Sequence, residues 1–233
     1  PVLRNYPTKL FVETTTACNL GCKMCVKQTR DCCIAEGEMT LESFANLKSA
    51  LPQAEALILN GVGEPLLNRN LEEFIVQART LMPARSWIGF QSNGILIDDQ
   101  RATALLAAGL DKICISIDAI TPEKLERLRT GAELSGLDEA FHSLQKARSL
   151  LNKPQFQIGV EIVVMRSNLI ELPATLEWAA QHGASFALVT HVLPYDERHA
   201  DEAVYEPCSA SAITLFNKWQ DQGAQENVDM CRY

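Results

Sequence analysis

Aromatic residues make up only 6% of this 233-residue chain, and its 21 lysines and arginines are outnumbered by 29 acidic residues. The basic residues form no block, and the net charge is −8. Affinity for phosphates comes largely from clustered lysine and arginine, so a nucleic-acid partner is disfavoured. No apolar run approaches the roughly 20 residues of a bilayer span, which argues against a membrane-embedded helix. Cysteine is present but sparse. Eight in this length is not the density of a disulfide-built scaffold, and a chain of this size can bury its own core. Nothing resembling a signal peptide stands ahead of the first cysteine, so a cytoplasmic protein with reduced thiols is expected.

What is present is concentrated. In Thr14-Thr15-Thr16-Ala17-Cys18-Asn19-Leu20-Gly21-Cys22-Lys23-Met24-Cys25, three thiols follow directly on an apolar run, Leu10-Phe11-Val12, that reads as a strand. Soft thiolates this close can converge on one metal or one iron–sulfur cluster. A closed zinc site or closed cluster needs four ligands, so three leave one position open for a substrate or cofactor. Cys32 and Cys33 lie near enough to supply a fourth. A zinc-stabilised binding module and a non-enzymatic iron–sulfur electron carrier therefore stand as alternatives.

Apolar, β-branched runs alternate with helical segments along the chain. Strands are expected at Lys9–Thr15, Ala56–Asn60, Trp87–Ser92, Lys112–Ile117, Gln157–Val164 and Ser185–His191. Thr40 can cap a helix over Leu41–Leu51, Arg69 or Asn70 opens one running to about Met82, and Asp98 caps one that stops at Gly109. Thr121-Pro122 opens another, and Leu137–Leu151 and Leu169–His182 carry apolar residues at helical spacing. Repeated strand–helix units imply parallel pairing through right-handed crossovers. Both a partial (β/α)6 barrel and a doubly wound sheet satisfy that pattern.

In a parallel barrel, chemistry sits at the C-terminal strand ends. Those ends here are polar: the cysteine loop, Asn60-Gly61-Val62-Gly63-Glu64-Pro65, Gln91-Ser92-Asn93-Gly94, Ser116-Ile117-Asp118, Met165-Arg166-Ser167-Asn168 and His191-Val192-Leu193-Pro194-Tyr195. Gly61 and Gly63 lack a Cβ, so a ligand could approach their backbone, and Glu64 can accept from a ligand ammonium. Ser116 and Asp118 share a parity and are expected to point into the interior. Glu13 and Glu161, inside strand runs, either grip a substrate or pair with an arginine. His191 and Tyr195 are candidate substrate contacts, and Cys114 reads as a small core residue.

The Cys-x3-Cys-x2-Cys spacing of Cys18, Cys22 and Cys25 resembles the signature of the radical SAM superfamily, and the likeness extends over roughly residues 9–195. It implies a partial (β/α)6 barrel, an α/β fold. It also implies a [4Fe-4S] cluster on the three cysteines, with S-adenosylmethionine (SAM) on its fourth iron. Reductive cleavage of SAM would then give a 5′-deoxyadenosyl radical that abstracts hydrogen from a peptide or a small-molecule cofactor precursor. An electron donor such as flavodoxin or ferredoxin is implied as well. Gly-Val-Gly-Glu-Pro resembles the family's glycine–glutamate motif, which assigns Gly61, Gly63 and Glu64 to the methionine amino group. Ile-Ser-Ile-Asp-Ala is similar to the strand-four segment near the cofactor, bringing in Ser116 and Asp118. Asn93 falls near the strand-three edge, and Arg129 is either a partner of the methionine carboxylate or a solvated helix residue. Where the family usually has an aromatic residue beside adenine this chain has Met24, whose flexible thioether can fill the same gap.

The expected division is a barrel over residues 1–195 and a short helical C-terminal appendage over 196–233, with a helix at Ser209–Gln220 flanked by Cys208 and Cys231. In the SPASM branch of peptide and cofactor maturases, an extension with auxiliary clusters begins near this position. Two thiolates cannot complete a four-ligand cluster, so one cluster is expected in this chain.

Overall fold

In the computed structural model, residues 5–29, 35–193 and 195–204 are described, together with the backbone of 229–232. Seven parallel strands form one sheet: β1 (Lys9–Phe11), β3 (Ala56–Ile58), β4 (Trp87–Ser92), β5 (Lys112–Ser116), β7 (Gln157–Val164), β8 (Phe186–His191) and β9 (Asp229–Arg232). They lie side by side in chain order. A doubly wound sheet reverses its order at a switch point. With no reversal, every crossover of the same hand puts its helix on the same face, and the sheet curls as a partial barrel.

The two faces follow the period of a strand. Leu57, Leu59, Ile88, Phe90, Ile113, Ile115, Ile158, Val160 and Ile162 are buried in one apolar cluster. Their alternates, Gly89, Gln91, Cys114, Ser116, Gly159 and Glu161, occupy the opposite, concave face. The helices bury residues at i, i+3, i+4 and i+7 into the same cluster. In α3 (Leu71–Leu81) these are Leu71, Phe74, Ile75 and Ala78, and in α6 (Leu134–Leu150) they include Leu137, Ala140, Phe141, Leu144 and Ala147. Removing one such ring, as in Phe74→Ala, costs about 3–5 kcal/mol. The remaining crossover helices are α4 (Asp99–Ala108), α5 (Pro122–Leu128) and α7 (Leu172–Gln181), and a short α1 (Val26–Thr29) follows the cysteine loop.

Local punctuation behaves as expected at several ends. Thr40 accepts from Ser43 N at the start of α2 (Leu41–Ala45), and Asp98 accepts from Arg101 N at the start of α4. Gly109 closes α4 at φ +108°, a conformation that favours glycine. Differences also have causes. The helix expected over Leu41–Leu51 breaks after Ala45 into two 3-10 turns, Asn46–Ser49 and Leu51–Gln53. Helix α6 begins three residues before the expected start, with Gly136 in its first turn, where intrahelical bonding makes few demands.

Two features were not legible in the periodicity. A two-stranded antiparallel sheet joins β2 (Gly21–Cys22) to β6 (Arg129–Thr130), too short to leave a pattern. The seventh strand, β9, pairs with β8 within the segment expected to be a helical appendage. The expected helix at Ser209–Gln220, with Cys208, Cys32 and Cys33, lies outside the described residues. Among the described residues, no helix is long and apolar enough to cross a membrane.

Candidate active site

The cysteine loop is fastened to the barrel rim at several points. Glu64 N donates to Ala17 O at 2.8 Å, Cys22 pairs with Arg129 across β2–β6, and Lys23 N donates to Leu128 O at 2.9 Å. Lys27 Nζ donates to Thr16 O at 2.8 Å. His199, buried on α8 (Glu197–Glu202), donates from Nε2 to Lys23 O at 2.9 Å. No sequence pattern pointed to His199, because its partner lies 176 residues away.

The glycine loop serves this fastening as well as lining the cavity rim. A Cβ at Gly63 would stand 2.3 Å from Thr15 O and 2.5 Å from Ala17 O, and one at Gly61 would stand 2.2 Å from Glu13 Oε1. Close approach by the backbone of the cysteine loop therefore demands glycine at Gly63, whereas at Gly61 the near atoms belong to the flexible Glu13 side chain. Glu13 itself accepts from Val62 N at 2.6 Å, so among the described contacts it caps a backbone amide and no arginine.

Cys18, Cys22 and Cys25 are half-buried free thiols that line one cavity of about 780 Å³, with Met24 beside them. Burial raises the Cys18 thiol and pushes Cys22 up to about 11, although the Arg129 guanidinium pulls Cys22 the other way. Metal ligation ionises such thiols and releases their protons. Among the described residues, no group of three or more His, Cys, Asp or Glu is placed to hold a single metal ion. A cluster takes each thiolate on a different iron, so its ligands need not meet at one point. Three soft donors around an open cavity fit an iron–sulfur cluster.

Glu64 is buried at 3% exposure yet lines this cavity. Its Oε1 accepts from Leu66 N at 3.1 Å and Ser92 Oγ at 2.8 Å, and its Oε2 accepts from Asn93 N at 2.8 Å. Burial raises its pKa against those bonds, and Oε2 keeps acceptor capacity for a ligand. Asn93 reaches back from Nδ2 to Asn19 Oδ1 at 2.7 Å, tying the end of β4 to the cysteine loop.

Ser116 faces the cavity as expected, but Asp118 does not line it. Asp118 sits in a bend past the end of β5, where its Oδ2 accepts from Arg129 Nε at 2.6 Å and its Oδ1 from Val163 N at 2.7 Å. The strand parity that predicted an inward side chain no longer applies beyond the strand. Arg129 is buried at 7% exposure, lines the cavity and is no solvated helix residue. Asn168, buried at the end of β7, holds Asp118 O and Val163 O through Nδ2 at 2.9 Å each. Gly61, Gly63, His191 and Tyr195 also line the cavity, and Cys114 is buried lower on the concave face.

Half-barrel and thiols together define the class: a parallel α/β half-barrel that gathers three free thiols at its strand ends. The sequence model described as the radical SAM superfamily matches residues 12–179, and the chain belongs to that superfamily. Among curated proteins it is 28% identical over 201 residues to a tungsten-containing aldehyde ferredoxin oxidoreductase cofactor-modifying protein of Pyrococcus furiosus, covering 84% of this chain and 55% of that protein. It is 28% identical over 186 residues to a probable GTP 3′,8-cyclase of Methanosarcina acetivorans, covering 78% and 53%. The chain thus spans about half the length of the curated relatives it matches. Streptococcus suis SuiB bound to precursor peptide SuiA superposes with a TM-score of 0.69 at 12% identity, covering 98% of this chain and 49% of SuiB, a likeness of fold.

Proposed function

We propose that this chain is the catalytic core of a radical SAM enzyme that carries a [4Fe-4S] cluster on Cys18, Cys22 and Cys25. The observation that carries the reading is the gathering of three free thiols, Glu64 and Arg129 around one cavity of about 780 Å³, a volume suited to a cofactor-sized ligand. When bound, cluster and SAM supply reductive cleavage to a 5′-deoxyadenosyl radical that abstracts hydrogen from substrate. The chain's own residues bind and orient. Glu64 receives the methionine ammonium, and Arg129, fixed by Asp118, takes the carboxylate. Met24 packs beside the adenine, and Ser116 and Asn93 contribute polar groups to the wall. Gly61 and Gly63 let the loops close without a gap.

A plain electron carrier has no use for a cavity of this size with a buried carboxylate in its wall. An external donor such as flavodoxin or ferredoxin supplies the electron. The Pyrococcus relative modifies a cofactor and SuiB binds a precursor peptide, which supports a peptide or cofactor-precursor substrate. Reduced thiols and iron–sulfur chemistry suit the cytoplasm. The test is anaerobic reconstitution with iron and sulfide, dithionite reduction and assay of 5′-deoxyadenosine. Formation of 5′-deoxyadenosine from SAM is expected, and a reduced, cluster-loaded chain that leaves SAM intact would refute the reading.

A further inference from the structure

Below the thiols a collar of side chains lies between two chambers. Asn60, Gln91, Glu161 and Thr190 line both the upper cavity and a second, lower chamber of about 660 Å³ on the concave face. Strand register builds the collar. Ser116 and Glu161 are direct partners across β5–β7, and Gln91 belongs to the adjoining strand β4. Gln91 and Ser116 stand beside the Glu161 carboxylate and favour its ionised form. Gln91 in turn accepts at Oε1 from Asn60 Nδ2 at 2.9 Å.

The chain of bonds ends on acceptors. Asn60 Oδ1 is buried and has no hydrogen-bond partner among the described residues. A buried polar atom without a partner is costly to keep, so a ligand that satisfies it is favoured. Glu161 lines both chambers and offers up to four acceptor positions. The arginine nearest in charge, Arg129, already gives its Nε to Asp118. Burial raises the Glu161 pKa, the response of a carboxylate short of counter-charge. A carbonyl oxygen without a partner and a half-buried carboxylate thus belong to one collar between the two chambers.

We propose that Asn60 and Glu161 form a specificity subsite for a positively charged nitrogen of the substrate, an ammonium such as that of a lysine side chain. The inference rests on the radical SAM reading for its placement beside the reacting centre, and it adds the substrate's chemistry. A neutral apolar group of the same length would leave Asn60 Oδ1 unpaired and Glu161 uncompensated. An anion would meet Glu161 and Glu64 in one wall. Lys9 and Lys112 line the lower chamber and not the upper one.

The test uses two capped tripeptides, acetyl-Gly-Lys-Gly-amide and acetyl-Gly-norleucine-Gly-amide, with the anaerobically reconstituted, SAM-loaded chain. Affinities are measured by equilibrium dialysis, and SAM affinity and 5′-deoxyadenosine formation are measured on the same samples. The lysine peptide is expected to bind about tenfold more tightly than the norleucine peptide. Glu161→Gln should bring the ratio to within about twofold with SAM affinity unchanged. Asn60→Ala, which keeps the carboxylate, should lower it by several-fold and supplies the test if the Glu161 variant fails to fold. Equal affinities in the parent chain, or no binding of either peptide, overturn the inference. A parallel loss of SAM affinity in Glu161→Gln also overturns it, since the carboxylate then serves the cofactor. 5′-Deoxyadenosine without a lysine preference removes the inference alone, whereas a lysine preference without 5′-deoxyadenosine removes the radical reading and leaves the subsite.

Discussion

Arg129 Nε donates to Asp118 Oδ2 at 2.6 Å, and its Nη1 lies 3.9 Å from Cys22 Sγ. One buried ion pair therefore links the end of β5 to a cysteine of the candidate cluster loop. Both side chains are nearly inaccessible, at 9% and 0% exposure. Removing one partner of a buried pair leaves the other charged and unpaired, at about 3–5 kcal/mol. Asp118→Ala should destabilise the chain by that amount in urea unfolding. Adding Arg129→Met should recover a large part of the loss, because no buried charge remains. A double variant as unstable as the single would show that the charges themselves are not at stake.

Gly63 tests whether the glycine loop supports the cysteine loop. With Thr15 O 2.3 Å from its would-be Cβ, Gly63→Ala must push backbone against backbone. Overpacking of this kind costs about 1–3 kcal/mol, and it should also lower iron retention by displacing Ala17 and Cys18. Gly37, with nothing within 4 Å of its would-be Cβ, is the control. Gly37→Ala should stay within about 0.5 kcal/mol of the parent. Thermal unfolding and iron content, measured on both variants, check the contrast.

The three-ligand reading predicts that Cys18→Ala, Cys22→Ala and Cys25→Ala each abolish the visible absorption of the reconstituted chain. Cys32→Ala, Cys33→Ala and the Cys208→Ser/Cys231→Ser pair should retain about four irons per chain. Loss of the cluster on replacing Cys32 or Cys33 would point to a closed four-thiolate site and remove the open iron. About eight irons in the parent, falling to about four in the Cys208/Cys231 pair, would mean a second cluster.

Glu64→Gln keeps the shape of the side chain but removes its charge. A charge-assisted hydrogen bond is worth about 1.5–3 kcal/mol, so SAM affinity should fall on the order of tenfold to a hundredfold with the cluster intact. Burial raises the pKa of Glu64, and the ionised form is the one that holds an ammonium. Parent affinity should therefore weaken as pH falls through a value above that of an ordinary glutamate, and the Gln variant should lack that dependence. Equilibrium binding across pH separates the two.

Glu171 clamps the start of α5. Its carboxylate accepts from Ile120 N at 3.1 Å, Thr121 N at 3.2 Å and Thr121 Oγ1 at 3.0 Å, and pairs with Lys124. Desolvation pushes its pKa up, but the bonds from Lys124 and Thr121 outweigh it and hold the carboxyl below the usual range. A depressed folded pKa gives stability that is present above the unfolded value, about 4.3, and lost as pH falls through the folded value. Glu171→Gln should thus cost about 1 kcal/mol at pH 7, with the gap from the parent closing below about pH 4. A constant gap across that range would place the effect in packing.

The sequence by itself determined whatever depends on neighbours in the chain. The alternation of Ile113, Ile115 and Ile117 with Cys114 and Ser116 marks β5 and its buried face, and Thr40, Asp98 and Gly109 mark helix ends through bonds to their own segment. The spacing of Cys18, Cys22 and Cys25 likewise keeps three thiols within one loop. Tertiary structure decided the rest. Both sheet types satisfy the same strand–helix rhythm, and only the observed strand order, without reversal, selected the partial barrel. Asn19 meets Asn93 across 74 residues, and Glu64 meets Ser92 across 28. Asp118 turned out to hold Arg129 because the strand ends before it, and Gly63 is glycine because another loop's backbone presses on it. Such contacts arise when distant strands are brought to one rim, and a pattern of period two or 3.6 carries no record of which rim residues will meet.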